Sequence, residues 1–130
     1  MKELGVLVVD DDCAILLLIE RMFSHFKVKV DCVMSATEAL DRLNTKKYRT
    51  MITDLDMPDM DGLELAHKAR ELFPNINVVL FTGNTAEQVM HLALDSKVSD
   101  ISEVHHKPCG LGDMLKGIMK KEMGKTFLLE

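Results

Sequence analysis

Asp54 is the residue around which a reaction site can be built in this chain. It follows the predicted strand Tyr48–Thr53, and the loop after it carries further acids, among them Asp56 and Asp61, before Gly62. A carboxylate delivered to the end of a buried strand can act as a nucleophile, and neighbouring acids can help to hold a cation. We expect Gly62 to supply the positive φ that a sharp turn after Asp61 needs.

Polar side chains also follow other strand-like runs, namely Asp10, Asp11, Asp12, Thr82 and Lys107. The first apolar run ends at Val9, which favours Asp10 and Asp11 as the acid pair of a site. Asp12 is then expected to cap the following helix, because an aspartate before the first helical residue accepts a hydrogen bond from a free N–H group.

The elements that must position these residues alternate along the chain. Apolar or alternating runs predict four strands, at about residues 4–9, 28–32, 48–53 and 76–81. We place a short fifth strand at about residues 103–106, in a stretch where polar residues interrupt the strand pattern. Amphipathic stretches predict five helices, at about residues 14–26, 36–46, 62–73, 86–94 and 111–123. This order predicts an α/β fold with a single doubly wound (βα)5 parallel sheet, flavodoxin-like in class. In such sheets functional groups gather at the carboxyl ends of the strands, so the polar residues are expected to form one site.

The first predicted helix contains an apolar stripe with three-and-four spacing, made of Ile15, Leu18, Ile19, Met22 and Phe26. We expect this stripe to face the core. Leu16 and Leu17 lie off it, and Leu17 points almost opposite. An exposed leucine beside the acid cluster suggests a surface for apolar contact with a partner helix, although an isolated surface leucine is common.

Composition restricts the class of protein. A chain of 130 residues suits one domain, which we place at residues 1–124, with a short tail at 125–130 whose last two residues could be an expression-vector remnant. A net charge of -5 argues against direct binding to nucleic acid, and no apolar run approaches the length of about 20 residues that membrane insertion needs. Three cysteines without paired spacing, and no visible leader, favour a cytoplasmic protein.

The chemistry follows from the charges. Several carboxylates at one sheet edge repel one another unless a cation joins them, and hard oxygen ligands suit Mg²⁺. Lys107 and the Thr82 hydroxyl add donors for an incoming anion. A phosphoryl group fits both halves of this site, with Asp54 as the nucleophile that would form an aspartyl phosphate.

Over nearly its whole length the chain resembles the receiver domain of response regulators in two-component phosphorelay systems. The resemblance rests on four motifs in order: Val8-Val9-Asp10-Asp11, Asp54-Leu55-Asp56-Met57-Pro58 with Asp61-Gly62, Phe81-Thr82-Gly83, and Lys107-Pro108. It implies Asp54 as the phosphoacceptor, and Mg²⁺ held by Asp11, by Asp10 through water, by Asp54 and by the backbone carbonyl of Asp56. It further implies that Thr82 and Lys107 hold the phosphoryl oxygens and that the Lys107-Pro108 bond is cis.

The same resemblance implies the partners. The phosphoryl donor would be a sensor histidine kinase or a histidine phosphotransfer domain, and the output would pass to a downstream protein that the sequence does not identify. Such a chain would be a signalling module and not an enzyme. Receivers usually carry an aromatic residue three positions before the lysine, where this chain has Val104, so its output route is expected to differ.

Two other functions remain open from the residues alone. Asp54-Leu55-Asp56 superficially matches the nucleophile and acid pair of haloacid-dehalogenase-like phosphatases, although Pro58 and the position after the third strand fit that motif poorly. A degenerate interaction domain that works without phosphorylation is the other alternative, encouraged by Val104. The complete set of acid, threonine and lysine groups argues against it.

Overall fold

The computed structural model describes residues 2–94 and 100–123 of the chain. The helices and strands alternate in the order β1 (Lys2–Val9), α1 (Cys13–His25), β2 (Val28–Val33), α2 (Ala36–Thr45), β3 (Thr50–Thr53), α3 (Gly62–Leu72), β4 (Asn77–Thr82), α4 (Ala86–Leu94), β5 (Glu103–His106) and α5 (Leu111–Met123). The predicted tail at 125–130, and residues 98–99 of the stretch before β5, lie outside the described residues.

The five strands form one sheet in the order β2-β1-β3-β4-β5, and every neighbouring pair is parallel. The predicted flavodoxin-like α/β class is therefore confirmed. This order puts β1 and β3 side by side in the middle of the sheet, with the residues that follow them at the same edge. A ligand crevice is expected at that point of such a sheet.

The central strands are apolar on both faces because helices cover both faces. Val6 and Val8 of β1 pack with residues of α1 and α5, whereas Leu7 and Val9 pack with residues of α2 and α3. A continuous apolar run is what a strand covered on both sides requires. The burial of these strands fixes their ends, and with them the positions of the polar residues that follow.

The predicted core stripe of α1 is partly wrong. The buried residues are Leu16, Ile19 and Phe23, whereas Leu18 is 44% exposed. Residues 14–19 are all apolar, so a stripe through Leu16 has the same three-and-four spacing as one through Ile15. Packing against the sheet buries the stripe through Leu16 and leaves Leu18 of the predicted stripe exposed. Leu17 is exposed, as predicted.

Several helix starts follow their sequence signals. Ser35 accepts a hydrogen bond from the Glu38 N–H group at 3.1 Å, and Thr85 and Gln88 bond reciprocally across the start of α4. Asp12 caps α1 by accepting from the Ala14 N–H group at 2.9 Å. Each cap satisfies an N–H group that has no partner inside its helix.

The α1 correction leads to a stability prediction. Leu16→Ala should lower the free energy of unfolding by about 2–5 kcal/mol, because it leaves a cavity in the core. Leu18→Ala, the matched control on the same helix, should change it by about 1 kcal/mol or less, because that side chain is partly in water and lies outside the core. Urea unfolding of both variants measures the difference. A larger loss of unfolding free energy in Leu18→Ala would contradict the observation that the Leu16 face of α1 points to the core.

Candidate functional site

The carboxyl ends of β1 and β3 bring three acids together. Asp10, Asp11 and Asp54 each offer a carboxylate oxygen, and these oxygens lie within 4.8 Å of one another. Among residues 2–94 and 100–123, no other group of three or more histidine, cysteine or acidic side chains has this arrangement. The three carboxylates are therefore the one candidate cation site in the described part of the chain.

Asp10 is the buried member of the group and is only 2% exposed. One of its oxygens accepts from the Asp12 N–H group at 2.9 Å, and the other accepts from the Lys107 Nζ at 2.8 Å. Asp11 is exposed. The acid pair next to Asp54 is thus Asp10 and Asp11, and Asp12 serves the helix.

Asp54 lies between its own backbone and a lysine. Its Oδ1 accepts from the Leu55 N–H group at 2.8 Å, and its Oδ2 lies 3.4 Å from the Lys107 Nζ. Burial and the charge of Asp10 raise the pKa of Asp54, and the nearby Lys107 ammonium only partly opposes that rise. A raised pKa means that the negative charge at this position is unfavourable without a further cation.

Lys107 follows β5, the edge strand beyond β4, and its ammonium group reaches the carboxylates of Asp10 and Asp54. Burial acts to lower the pKa of its ammonium group, but the hydrogen bond to Asp10 and the charges of Asp10 and Asp54 outweigh burial, so the pKa of Lys107 is raised. The Lys107 backbone N–H also donates to the Thr82 carbonyl at 2.8 Å, and the Lys107-Pro108 peptide bond is cis. The lysine is held both by its backbone and by its charge.

Thr82 is fully buried at the end of β4, and its hydroxyl accepts from the Asn84 N–H group at 3.0 Å. The Asp56 side chain is exposed and does not belong to the carboxylate group, and the role of its backbone carbonyl as an ion ligand stays a prediction of the resemblance. The structure thus brings together Asp10, Asp11, Asp54 and Lys107, with Thr82 on the neighbouring strand.

Val104, which stands where receivers usually carry an aromatic residue, has His106 two residues further along β5. Val104 is 39% exposed and lies opposite Leu80, and His106 lies opposite Thr82 two residues further along β5. Alternation along a strand puts Val104 and His106 on the same face. The His106 Nδ1 lies 2.8 Å from the Asn84 carbonyl oxygen, so β5 is joined to the loop after Thr82 by a histidine.

Gly62 is needed for a reason different from the predicted one. In the described residues a positive φ at glycine occurs at Gly5, not at Gly62. A Cβ atom on Gly62 would instead lie 2.2 Å from the backbone oxygen of Asp54, and the Gly62 N–H group donates to the Leu55 carbonyl at 2.7 Å. The glycine permits the close backbone approach that closes the loop after Asp54.

The raised pKa of Asp54 predicts a gain in stability when its charge is removed. The folded protein releases the Asp54 proton less readily than the unfolded chain, so ionisation of Asp54 costs stability above the folded pKa. In the absence of divalent cations, Asp54→Asn should therefore raise the free energy of unfolding at neutral pH. The gain should shrink as the pH falls through the folded pKa and vanish below the ordinary value of 3.8.

Urea unfolding at several pH values, with a chelator present, measures this effect. Asp31→Asn is a suitable control, because the pKa of Asp31 is lowered through its hydrogen bonds to Lys46 and Tyr48 despite burial, and its loss should destabilise the protein at neutral pH. A loss of stability at neutral pH in Asp54→Asn would contradict the account of the site's charge.

Comparison with known proteins agrees with this geometry. Residues 6–118 match the family described as the response regulator receiver domain. The response regulator receiver protein CpdR of Brucella abortus is 34% identical over 86 residues, covering 66% of this chain and 69% of CpdR. The hybrid signal transduction histidine kinase L of Dictyostelium discoideum is 28% identical over 124 residues, covering 88% of this chain and 7% of that protein. The chain thus spans a small fraction of the length of some curated relatives.

Solved structures show the same fold. A CheY-like receiver domain protein from Methanospirillum hungatei superimposes with a TM-score of 0.79 at 27% identity, covering 95% of both chains. The response regulator protein TrrA from Thermotoga maritima, solved in complex with Mg(2+)-BeF, gives a TM-score of 0.77 at 25% identity, covering 92% of this chain and 98% of that one. With the fold, the acid group and the family match in agreement, the chain belongs to the response regulator receiver domain family.

Proposed function

We propose that this protein accepts a phosphoryl group on Asp54 from a phosphohistidine donor and then signals through a protein partner. The observation that carries the proposal is the meeting of Asp10, Asp11 and Asp54 with Lys107 at one sheet edge. An anionic group brought to Asp54 meets an ammonium group there, and the carboxylate itself is at the right place to attack.

The residues present fit a magnesium ion. Three carboxylate oxygens within 4.8 Å of one another provide hard ligands, and burial together with the charge of Asp10 raises the pKa of Asp54, which favours a cation beside it. Asp10, Asp11, Asp54 and the Asp56 carbonyl would hold the ion. When bound, Mg²⁺ supplies positive charge that neutralises the acids and the incoming phosphoryl oxygens. That TrrA was solved with Mg(2+)-BeF supports this choice of ion.

The transfer is a displacement at phosphorus. A bond forms between a carboxylate oxygen of Asp54 and phosphorus, the phosphorus–nitrogen bond of the donor histidine breaks, and the imidazole nitrogen takes the electron pair and then a proton. The Leu55 N–H group holds Oδ1 of Asp54, which leaves Oδ2, on the side of Lys107, for the attack. Lys107 then stabilises the charge on the transferred group, and the Thr82 hydroxyl, whose oxygen accepts from the Asn84 N–H group, keeps its own proton for donation to that group.

The function is proposed to be signalling and not steady catalysis. Family membership favours the receiver interpretation over the haloacid-dehalogenase-like one, and the assembled acids and Lys107 argue against a degenerate domain.

We place the receiver at residues 1–124, with 125–130 as a short tail, and propose a cytoplasmic location. None of the described helices is long and apolar enough to cross a membrane.

Labelling with a small phosphodonor tests the proposal. Incubation with Mg²⁺ and an acyl phosphate should give the native protein one acid-stable, base-labile phosphoryl group per chain, because Asp54 provides the single nucleophile of the site. Asp54→Asn, or the native protein with a chelator, should stay at background. Absence of the adduct on the native protein, or undiminished labelling of Asp54→Asn, would remove the proposal, and continuous turnover of a phosphomonoester would favour the phosphatase alternative.

Leu17 leads to a prediction about the donor. Its side chain is 46% exposed on α1, close in sequence to Asp11, and we propose that it contacts a helix of the histidine-containing donor. The donor for this test is a histidine phosphotransfer domain that labels the native protein. With that donor, Leu17→Glu should slow phosphotransfer about tenfold, which is the effect of losing a central apolar contact. Labelling by an acyl phosphate should be unchanged.

Leu92→Glu is the matched control, because Leu92 is 41% exposed on α4 and lies on a different helix. Leu92→Glu should leave the rates of labelling by the protein donor and by the acyl phosphate unchanged. Equal loss with the protein donor and the acyl phosphate in Leu17→Glu would show that the substitution damages the site itself, and would contradict the docking role.

A further inference from the structure

The loop that follows Asp54 is tightly joined to it at its base. The Leu55 N–H group binds the Asp54 carboxylate, and the Gly62 N–H group binds the Leu55 carbonyl at 2.7 Å. The space between Gly62 and the Asp54 backbone oxygen has no room even for a methyl group. A displacement of residues 56–61 is therefore transmitted to the backbone that holds the nucleophile.

The middle of this loop is attached to a different helix. One carboxylate oxygen of Asp59 accepts from the Thr37 N–H group at 2.9 Å and from the Thr37 hydroxyl at 2.8 Å, and the other accepts from the Ala36 N–H group at 3.4 Å. Asp59 and Thr37 are 22 residues apart in the chain. These hydrogen bonds connect the loop to the first turn of α2.

The contact suits the chemistry of both partners. The first N–H groups of a helix have no partner within it and attract negative charge. Ser35 accepts from the Glu38 N–H group, so Asp59 accepts from the two groups that Ser35 leaves open, those of Ala36 and Thr37. The hydrogen bonds from Thr37 lower the pKa of Asp59, as expected of donors that stabilise the charged form of the carboxylate.

The other anchors of the loop are the Asp61 side chain, which accepts from the Glu64 N–H group at 2.8 Å at the start of α3, and two methionines. Met57 and Met60 pack against the core between the sheet, α2 and α3, and both are partly buried. Thioether side chains are flexible and adapt to several packings, so they hold the loop to the protein without fixing its backbone. The directional hydrogen bonds between Asp59 and α2 fix the backbone in the middle of the loop. Asp56, whose carbonyl is a proposed ion ligand, lies between the base and this attachment.

We propose that Asp59 is a positioning residue for the reaction at Asp54: by binding the free N–H groups of α2, it holds the β3–α3 loop in the conformation that presents the Asp56 carbonyl to the cation. This inference rests on the proposed function. Asp59 itself touches neither the ion nor the phosphoryl group. It acts on Mg²⁺ binding through the backbone of residues 56–58.

Calorimetric titration of the unphosphorylated protein with Mg²⁺ tests the proposal without relying on phosphorylation. Asp59→Ala should weaken Mg²⁺ binding by about tenfold, the low end of what is lost when a group that orients metal ligands is removed. The Mg²⁺ concentration for half-maximal labelling by an acyl phosphate should rise by the same factor, while the labelling rate at saturating Mg²⁺ should stay near the native rate.

Two matched controls separate positioning from simpler effects. Ser35→Ala removes a hydrogen bond from the same turn of α2 but leaves the loop attached, so it should lower the urea midpoint without changing the Mg²⁺ dissociation constant. Glu64→Gln removes one exposed negative charge from the first turn of α3, so it controls for electrostatic attraction of the ion. If Asp59→Ala does not fold, Asp59→Asn, which keeps one acceptor oxygen and so only part of the attachment, should show a smaller loss of Mg²⁺ affinity in the same direction, and no loss would count against the proposal.

The outcomes are distinct. A selective loss of Mg²⁺ affinity in the Asp59 variant supports the positioning role. Mg²⁺ affinity equal to that of the native protein, or an equal loss in Ser35→Ala or Glu64→Gln, would overturn it. A native protein that binds Mg²⁺ but takes no phosphoryl group would instead refute the proposed function, and leaves the comparison of Mg²⁺ affinities as the test of Asp59.

Discussion

The structure depends on an electrostatic conflict at one edge of the sheet. Asp10, Asp11 and Asp54 lie close together, and Lys107 provides the one ammonium group that the structure shows bonded to them, within the part of the chain that it describes. One lysine does not balance three carboxylates, and burial together with the charge of Asp10 raises the pKa of Asp54. A site in this state favours a divalent cation and, beside it, an anion that shares the cation and the lysine. The chemistry proposed for the protein follows from that imbalance.

The fold makes this conflict possible by keeping the acids in place. Val9 and Thr53 end neighbouring parallel strands, so the residues that follow them must meet at the same edge. Lys107 reaches this edge from a strand on the far side of β4, held by its backbone hydrogen bond to Thr82. The apolar residues buried on both faces of the sheet provide the favourable free energy that offsets the cost of gathering like charges.

Much of this could be predicted because the relevant signals are local. The end of an apolar run locates Asp10, Asp54 and Thr82, and the β-α alternation then assigns them to one edge without further information. What could not be predicted depends on contacts between distant residues. The rotation of α1 is decided by its fit to the sheet, since a run of six apolar residues permits more than one stripe. The contact of Asp59 with Thr37, and the close approach of Gly62 to the Asp54 carbonyl, depend on how two loops and a helix meet.

The central claim concerns one atom group, the carboxylate of Asp54, and the most direct measurement identifies where the phosphoryl group resides. After labelling in the presence of Mg²⁺, reduction with borohydride converts an acyl phosphate of aspartate into homoserine, and peptide mass spectrometry then identifies the modified residue. The account predicts homoserine at position 54. Modification at Asp10, Asp11 or Asp56 instead, or a phosphoryl group found on a histidine, would contradict it.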